Sequence, residues 1–128
     1  MKRAALLCLA VSGLLATVSL SAHHSFASTY FEDKTVTVEG TLVQFLFRNP
    51  HSFVHVEAPD DKGAMQRWAV EWAAGPELGR SGINRETLKP GDQIKVTGNP
   101  GRNDADHRLR LVSIERPKDG WKWGGTFN

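Results

Sequence analysis

Thr35-Val36-Thr37-Val38-Glu39-Gly40-Thr41-Leu42-Val43-Gln44-Phe45-Leu46-Phe47 decides the fold. The stretch is rich in β-branched and aromatic residues, the composition of a strand. Its apolar residues fall first on even positions (Val36, Val38, Leu42) and then on odd ones (Val43, Phe45, Phe47). Strand side chains alternate with period two, so a change of phase needs an extra residue or a bend. Gly40 stands just before the change and gives the backbone room. A long strand bent in this way can serve two sheets, or two sides of a small barrel.

Arg48-Asn49-Pro50 is a turn signal. His51 to Ala58 then alternates, with Val54, Val56 and Ala58 on one face and His51, Phe53, His55 and Glu57 on the other. Pro59 to Gly63 reads as a hairpin loop. Met65 to Ala73 alternates again, grouping Trp68, Val70 and Trp72 opposite Arg67 and Glu71. Gly75-Pro76-Glu77-Leu78-Gly79-Arg80 fits one short helix with proline in its first turn. A tight turn at Leu88 to Asp92 precedes a strand over Gln93 to Gly98. After a polar loop, Leu109 to Ile114 is the last strand, with a second phase change between Leu111 and Val112.

The order is long bent strand, strand, strand, short helix, strand, strand. This predicts an all-β fold: a five-stranded OB-like barrel with one short helix between strands 3 and 4. Another small sandwich or barrel is the competing arrangement.

Outward from the barrel, residues 1–22 read as a signal peptide: basic Met1-Lys2-Arg3, an apolar run from Ala4, then small residues at Ser19 to Ala22. An uncleaved anchor is the alternative, and it is the one route to a membrane. Residues 23–34 form a polar and aromatic lead-in, residues 35–116 the barrel, and residues 117–128 a Trp/Gly-rich tail. Export to the periplasm or beyond follows. The leader takes with it the lone cysteine, Cys8, and two of the 16 Lys and Arg residues, leaving as many basic residues as the 14 acidic ones. A neutral, exported domain has no general attraction for nucleic acid. Lacking disulfides, it must hold together by its core, as roughly 100 residues can.

Four motifs stand out: His23-His24-Ser25-Phe26-Ala27 after the leader, Asn49-Pro50-His51, Trp68-Ala69-Val70-Glu71, and Leu88-Lys89-Pro90-Gly91-Asp92. In these the chain resembles domain of unknown function 6152, a family of small exported bacterial proteins. The resemblance implies export and a small β-domain and carries no established activity. The tail around Trp121-Lys122-Trp123 falls outside it.

The chemistry centres on His23 and His24, and it depends on where the leader is cut. A cut after Ala22 puts an α-amine and an imidazole on one residue, and a further histidine completes a nitrogen site suited to copper. A cut after Ser21 gives Ala22-His23-His24, a planar Cu(II) motif of amine, amides and imidazole. A cut after Ala27 discards both histidines, and a polar spacer at a signal junction is the bland reading. His51 and His55 are rivals for the additional ligand. Four residues apart, they stand about 13 Å from each other on a regular strand, while metal–nitrogen bonds are about 2 Å. His51, at the strand mouth and within the family motif, is preferred.

Glu57 and Glu71 are candidates for a carboxylate pair, for orienting a histidine, or for ordinary solvated charges. The metal-free alternative is a small-ligand, glycan or protein-binding face formed by Phe53, Arg67 and Glu71. Met65 reads as core filler, with a soft Cu(I) ligand as the alternative, and Trp121 and Trp123 as caps over a barrel end, or as a partner-binding feature if exposed. The chain lacks the usual nucleophile, zinc-protease and phosphate-loop motifs. The expectation is a binding module rather than an enzyme, with a metal ion such as copper, or a small ligand, as its partner.

Overall fold

The computed structural model describes residues 26–124; the expected signal peptide and His23-His24 lie outside the described residues. The order is β1 (Val36–Leu46), β2 (Phe53–Pro59), β3 (Met65–Glu71), a helix (Gly75–Arg80), β4 (Gln93–Pro100), β5 (Arg108–Arg116) and β6 (Trp121–Gly124). The first part of β1 pairs antiparallel with β4 and the second part with β2. β2 pairs with β3 and β4 with β5, both antiparallel. β3 and β5 then meet in parallel, Ala69 to Glu71 against Arg108 to Arg110, and close the circuit. The result is the five-stranded OB-like barrel read from the sequence, with the helix between β3 and β4.

The phase changes have structural counterparts. In β1 the register with β2 shifts between Leu42 and Gln44, leaving Val43 as the extra residue. In β5 the register with β4 shifts so that Thr97 faces Ser113 and Gly98 faces Leu111, leaving Val112 over. A glycine attends each bend because the backbones come too close for a side chain. A Cβ at Gly40 would lie 2.0 Å from the Glu57 carbonyl oxygen, and one at Gly98 would lie 2.6 Å from that of Arg110.

Alternation fills the barrel. Val54, Val56, Ile94, Val96, Leu109 and Leu111 are each at most 1 % exposed. Burying such a side chain contributes about 1.5–3 kcal/mol. Leu78 of the helix and the following Ile83 and Leu88 join the same core. Below them Arg116 bonds the buried Asp92 carboxylate at 2.9 Å and the Thr87 carbonyl at 2.8 Å, and the Lys89 N–H also donates to Asp92.

Two outcomes differ from the sequence reading. His51, expected to open strand 2, stands two residues ahead of it. Part of the expected tail is a sixth strand: β6 pairs with the second half of β5, from Ser113↔Gly124 to Arg116↔Trp121. It brings the Trp123 ring to 5.0 Å from Trp72, edge to face. Both tail tryptophans pack against the core as partial covers.

Candidate functional site

The site forms on the outside of the seam between β3 and β5. Glu71 lies beside Arg110, and Ala69 beside Arg108. Residues two apart on a strand share a face, so Glu71, Arg108 and Arg110 face outward while Leu109 and Leu111 fill the core. Phe53 sits opposite Glu71 across the β2–β3 ladder. Pairing runs on past the strand ends, from the Ser52 N–H to the Ala73 carbonyl and from the Trp72 N–H to the Ser52 carbonyl. That makes His51 a diagonal neighbour of Glu71, within reach of a long side chain.

Glu71 uses both carboxylate oxygens. Oε1 is 2.9 Å from Nδ1 of His51. Oε2 accepts from the Tyr30 hydroxyl and, at 3.3 Å, from Nη2 of Arg108. The Glu71 side chain is only 12 % exposed, while that of His51 is 37 % exposed. Burial, then the hydrogen bond and charge of Glu71, pushes the Tyr30 phenol above its ordinary range, so it stays protonated and donates. An ionised carboxylate only accepts, which fixes the proton of a neutral His51 ring on Nδ1 and leaves the lone pair on Nε2. A carboxylate on one imidazole nitrogen is the usual arrangement behind a metal-binding histidine.

The lead-in crosses this seam. Residues 26–29 make one helical turn, with the Tyr30 N–H bonded to the Phe26 carbonyl at 2.8 Å. Tyr30 bridges to Gly101 and is 1 % exposed. The Phe31 N–H bonds the Pro100 carbonyl, the Arg102 N–H bonds the Thr29 carbonyl, and Arg102 Nε bonds the Ala27 carbonyl. Phe26 is thereby set against the His51 ring, centroids 5.7 Å apart, with the Arg110 guanidinium 4.2 Å from the Phe26 centroid. His51 belongs to the β1–β2 loop and Arg108 follows the β4–β5 loop. Those two loops flank the ligand sites of OB barrels.

The remaining candidates are placed elsewhere. His55 stacks on Phe53, and burial, followed by the charges of Arg67 and Arg48, lowers its pKa. Glu57 forms an exposed pair with Arg67 at 2.9 Å and is well separated in sequence and role from the Glu71 cluster. Of the proposed ligand face, Phe53 and Glu71 are direct cross-strand neighbours, with Arg48 over the Phe53 ring and Glu71 turned to His51, while Arg67 is engaged by Glu57. Met65 is 66 % exposed rather than core. His107 packs edge-on against Trp68. The described residues include no group of three or more His, Cys, Asp or Glu that could hold a metal.

Sequence reasoning missed Tyr30, Arg108, Arg110 and Phe26. The parallel closure of an OB barrel is the signal that could have found the arginines, because it sets the start of strand 5 beside the end of strand 3. No comparable signal tied Tyr30 to Glu71, 41 residues away.

The family described as "Family of unknown function (DUF6152)" matches residues 11–110. No curated protein and no solved structure matches the chain.

Proposed function

The chain belongs to that DUF6152 family, and we propose that it is an exported binding module whose mature N-terminus, His23 and His24, holds copper or another divalent metal together with His51. The reading rests on one observation: Phe26 lies against a His51 ring whose Nδ1 is already bonded to Glu71. His24 is two residues before Phe26, within about 7 Å of it along the chain. His23 is one residue further. Both are within reach of His51 without rearrangement of the barrel. Among the described residues no hydrogen bond engages Nε2 of His51, which is the ligand atom this reading requires. His55 has no carboxylate behind it and lies beside two arginines that oppose a cation.

The experiment is intact mass of the exported protein with and without Cu(II). A chain that begins at His23 and retains one copper, with the copper lost in His51→Ala, supports the reading. A chain that begins at Ser28, or copper retention independent of every histidine, ends it.

A further inference from the structure

We infer that the His51 seam is also a receptor for a small oxyanion, a carboxylate or phosphate group, gripped by Arg110 with Arg48 and Arg108 beside it. This inference goes beyond the metal reading and does not require a metal to be bound.

Charge is the first argument. Three guanidinium groups border the seam, and its carboxylate, Glu71, is already shared by Tyr30, His51 and Arg108. Among the described residues neither Arg48 nor Arg110 has a carboxylate partner. The Arg48 Nε donates to the His51 carbonyl at 3.4 Å. Guanidiniums without a counter-charge leave the seam with positive potential, which an added anion relieves.

Preorganisation is the second. Arg110 lies over Phe26 at 4.2 Å, Arg48 over Phe53 at 5.3 Å, and Arg108 over Tyr30 at 5.7 Å from the ring centroids. An aromatic ring takes up one face of a guanidinium and leaves its edge of N–H donors open. That edge matches two oxygens of a carboxylate or phosphate at once. Arginines already fixed by stacking lose less freedom on binding than free ones. The Arg110 side chain belongs to a half-buried residue, which shields its charge from solvent screening.

Compatibility with the metal is the third. The proposed donors, an amine and imidazoles, are neutral, so a bound divalent ion keeps its full charge. An oxyanion held by Arg110 would complement that charge. Metal and anion should therefore reinforce each other.

The test is calorimetric titration of the mature chain, metal-free and then copper-loaded, with inorganic phosphate and separately with acetate at low ionic strength. The two probes distinguish a phosphate from a carboxylate preference. Saturable one-to-one binding is expected, weakened about tenfold or more in Arg110→Gln, as for loss of a charged hydrogen bond. Arg110→Lys should recover part of it, because the charge returns without the fork. Lys122→Gln, an exposed charge on β6, should bind as the parent does. Each variant is first checked for an unchanged thermal midpoint, and Arg48→Gln serves if Arg110 proves structural. Equal binding by parent, Arg110→Gln and Arg48→Gln, or no saturable binding of either probe, overturns the inference. Loss of copper uptake with anion binding intact would instead refute the metal reading alone.

Discussion

Replacing Tyr30 by Phe removes one oxygen from a buried side chain and leaves its ring in place. The hydroxyl donates to the ionised Glu71 carboxylate, and Tyr30 is 1 % exposed. A hydrogen bond to a charged group contributes about 1.5–3 kcal/mol. Glu71 keeps His51 and Arg108, so the carboxylate is not orphaned and the lower half of that range applies. For a domain near 100 residues, about 1.5 kcal/mol corresponds to a midpoint lower by roughly 6 °C or more. The loss is also local, because Tyr30 pins the lead-in. The Phe31 and Arg102 amides, bonded to Pro100 and Thr29, should exchange faster with deuterium, while Val54 and Ile94 in the core follow only the global change. A cycle with Glu71→Gln checks the cause: the two effects should be non-additive by about 1 kcal/mol. A thermal midpoint and lead-in exchange both unchanged in Tyr30→Phe would refute this account of how the lead-in is held.

Gly40→Ala should abolish cooperative unfolding or lower stability by about 3 kcal/mol or more, read in urea, because its Cβ would meet the Glu57 carbonyl at 2.0 Å. Asp92→Asn should cost about 1.5–3 kcal/mol through its bonds to Arg116 and Lys89. Burial opposes ionisation of Asp92, but the Lys89 N–H and Arg116 outweigh it and lower its pKa below 3.8. Its stabilisation is therefore present above pH 3.8 and lost as pH falls through the folded value. Acid titration of stability should show that loss in the parent and less of it in Asp92→Asn. Trp123→Ala should remove the edge contact with Trp72 and lower the thermal midpoint, with a change in tryptophan fluorescence.

What the sequence disclosed follows range. The bends in β1 and β5 were legible because a phase change is local, and both coincide with an unpaired residue, Val43 and Val112. The helix was legible because Pro76 and the acidic-to-basic order from Glu77 to Arg80 mark its ends locally. β6 was not read as a strand, since four residues between Gly120 and Gly125 give too short an alternation. The site is a matter of long-range closure. That Glu71 could orient a histidine was readable; that the histidine is His51 depends on pairing beyond the ends of β2 and β3. The arginines come from the β3–β5 contact, and Tyr30 from a strap that no periodicity announces.

The strap also changes what each cleavage position would mean. Phe26 lies against His51 and Arg110, and Ala27 is held by Arg102, so the chain enters the seam at the same point whether it begins at Ala22 or at His23. The two beginnings differ in which residue carries the α-amine. Beginning at Ala22, the amine, intervening amides and His24 imidazole fill a square plane by themselves. Copper in that form should survive both His51→Ala and Glu71→Gln with an unaltered electron paramagnetic resonance spectrum. Beginning at His23, the chelate needs another nitrogen. His51→Ala should then release copper, and Glu71→Gln, which disturbs the Nδ1 bond, should weaken it about tenfold, as loss of an outer-shell partner does. A chain beginning at Ser28 would lose Phe26 with both histidines and cut through the turn that ties the lead-in to the barrel. Comparing the His51→Ala spectrum across two defined N-termini therefore separates a site built by the fold from one carried by the peptide end alone. A spectrum unaltered by His51→Ala in both forms would mean that the seam plays no part in holding the metal.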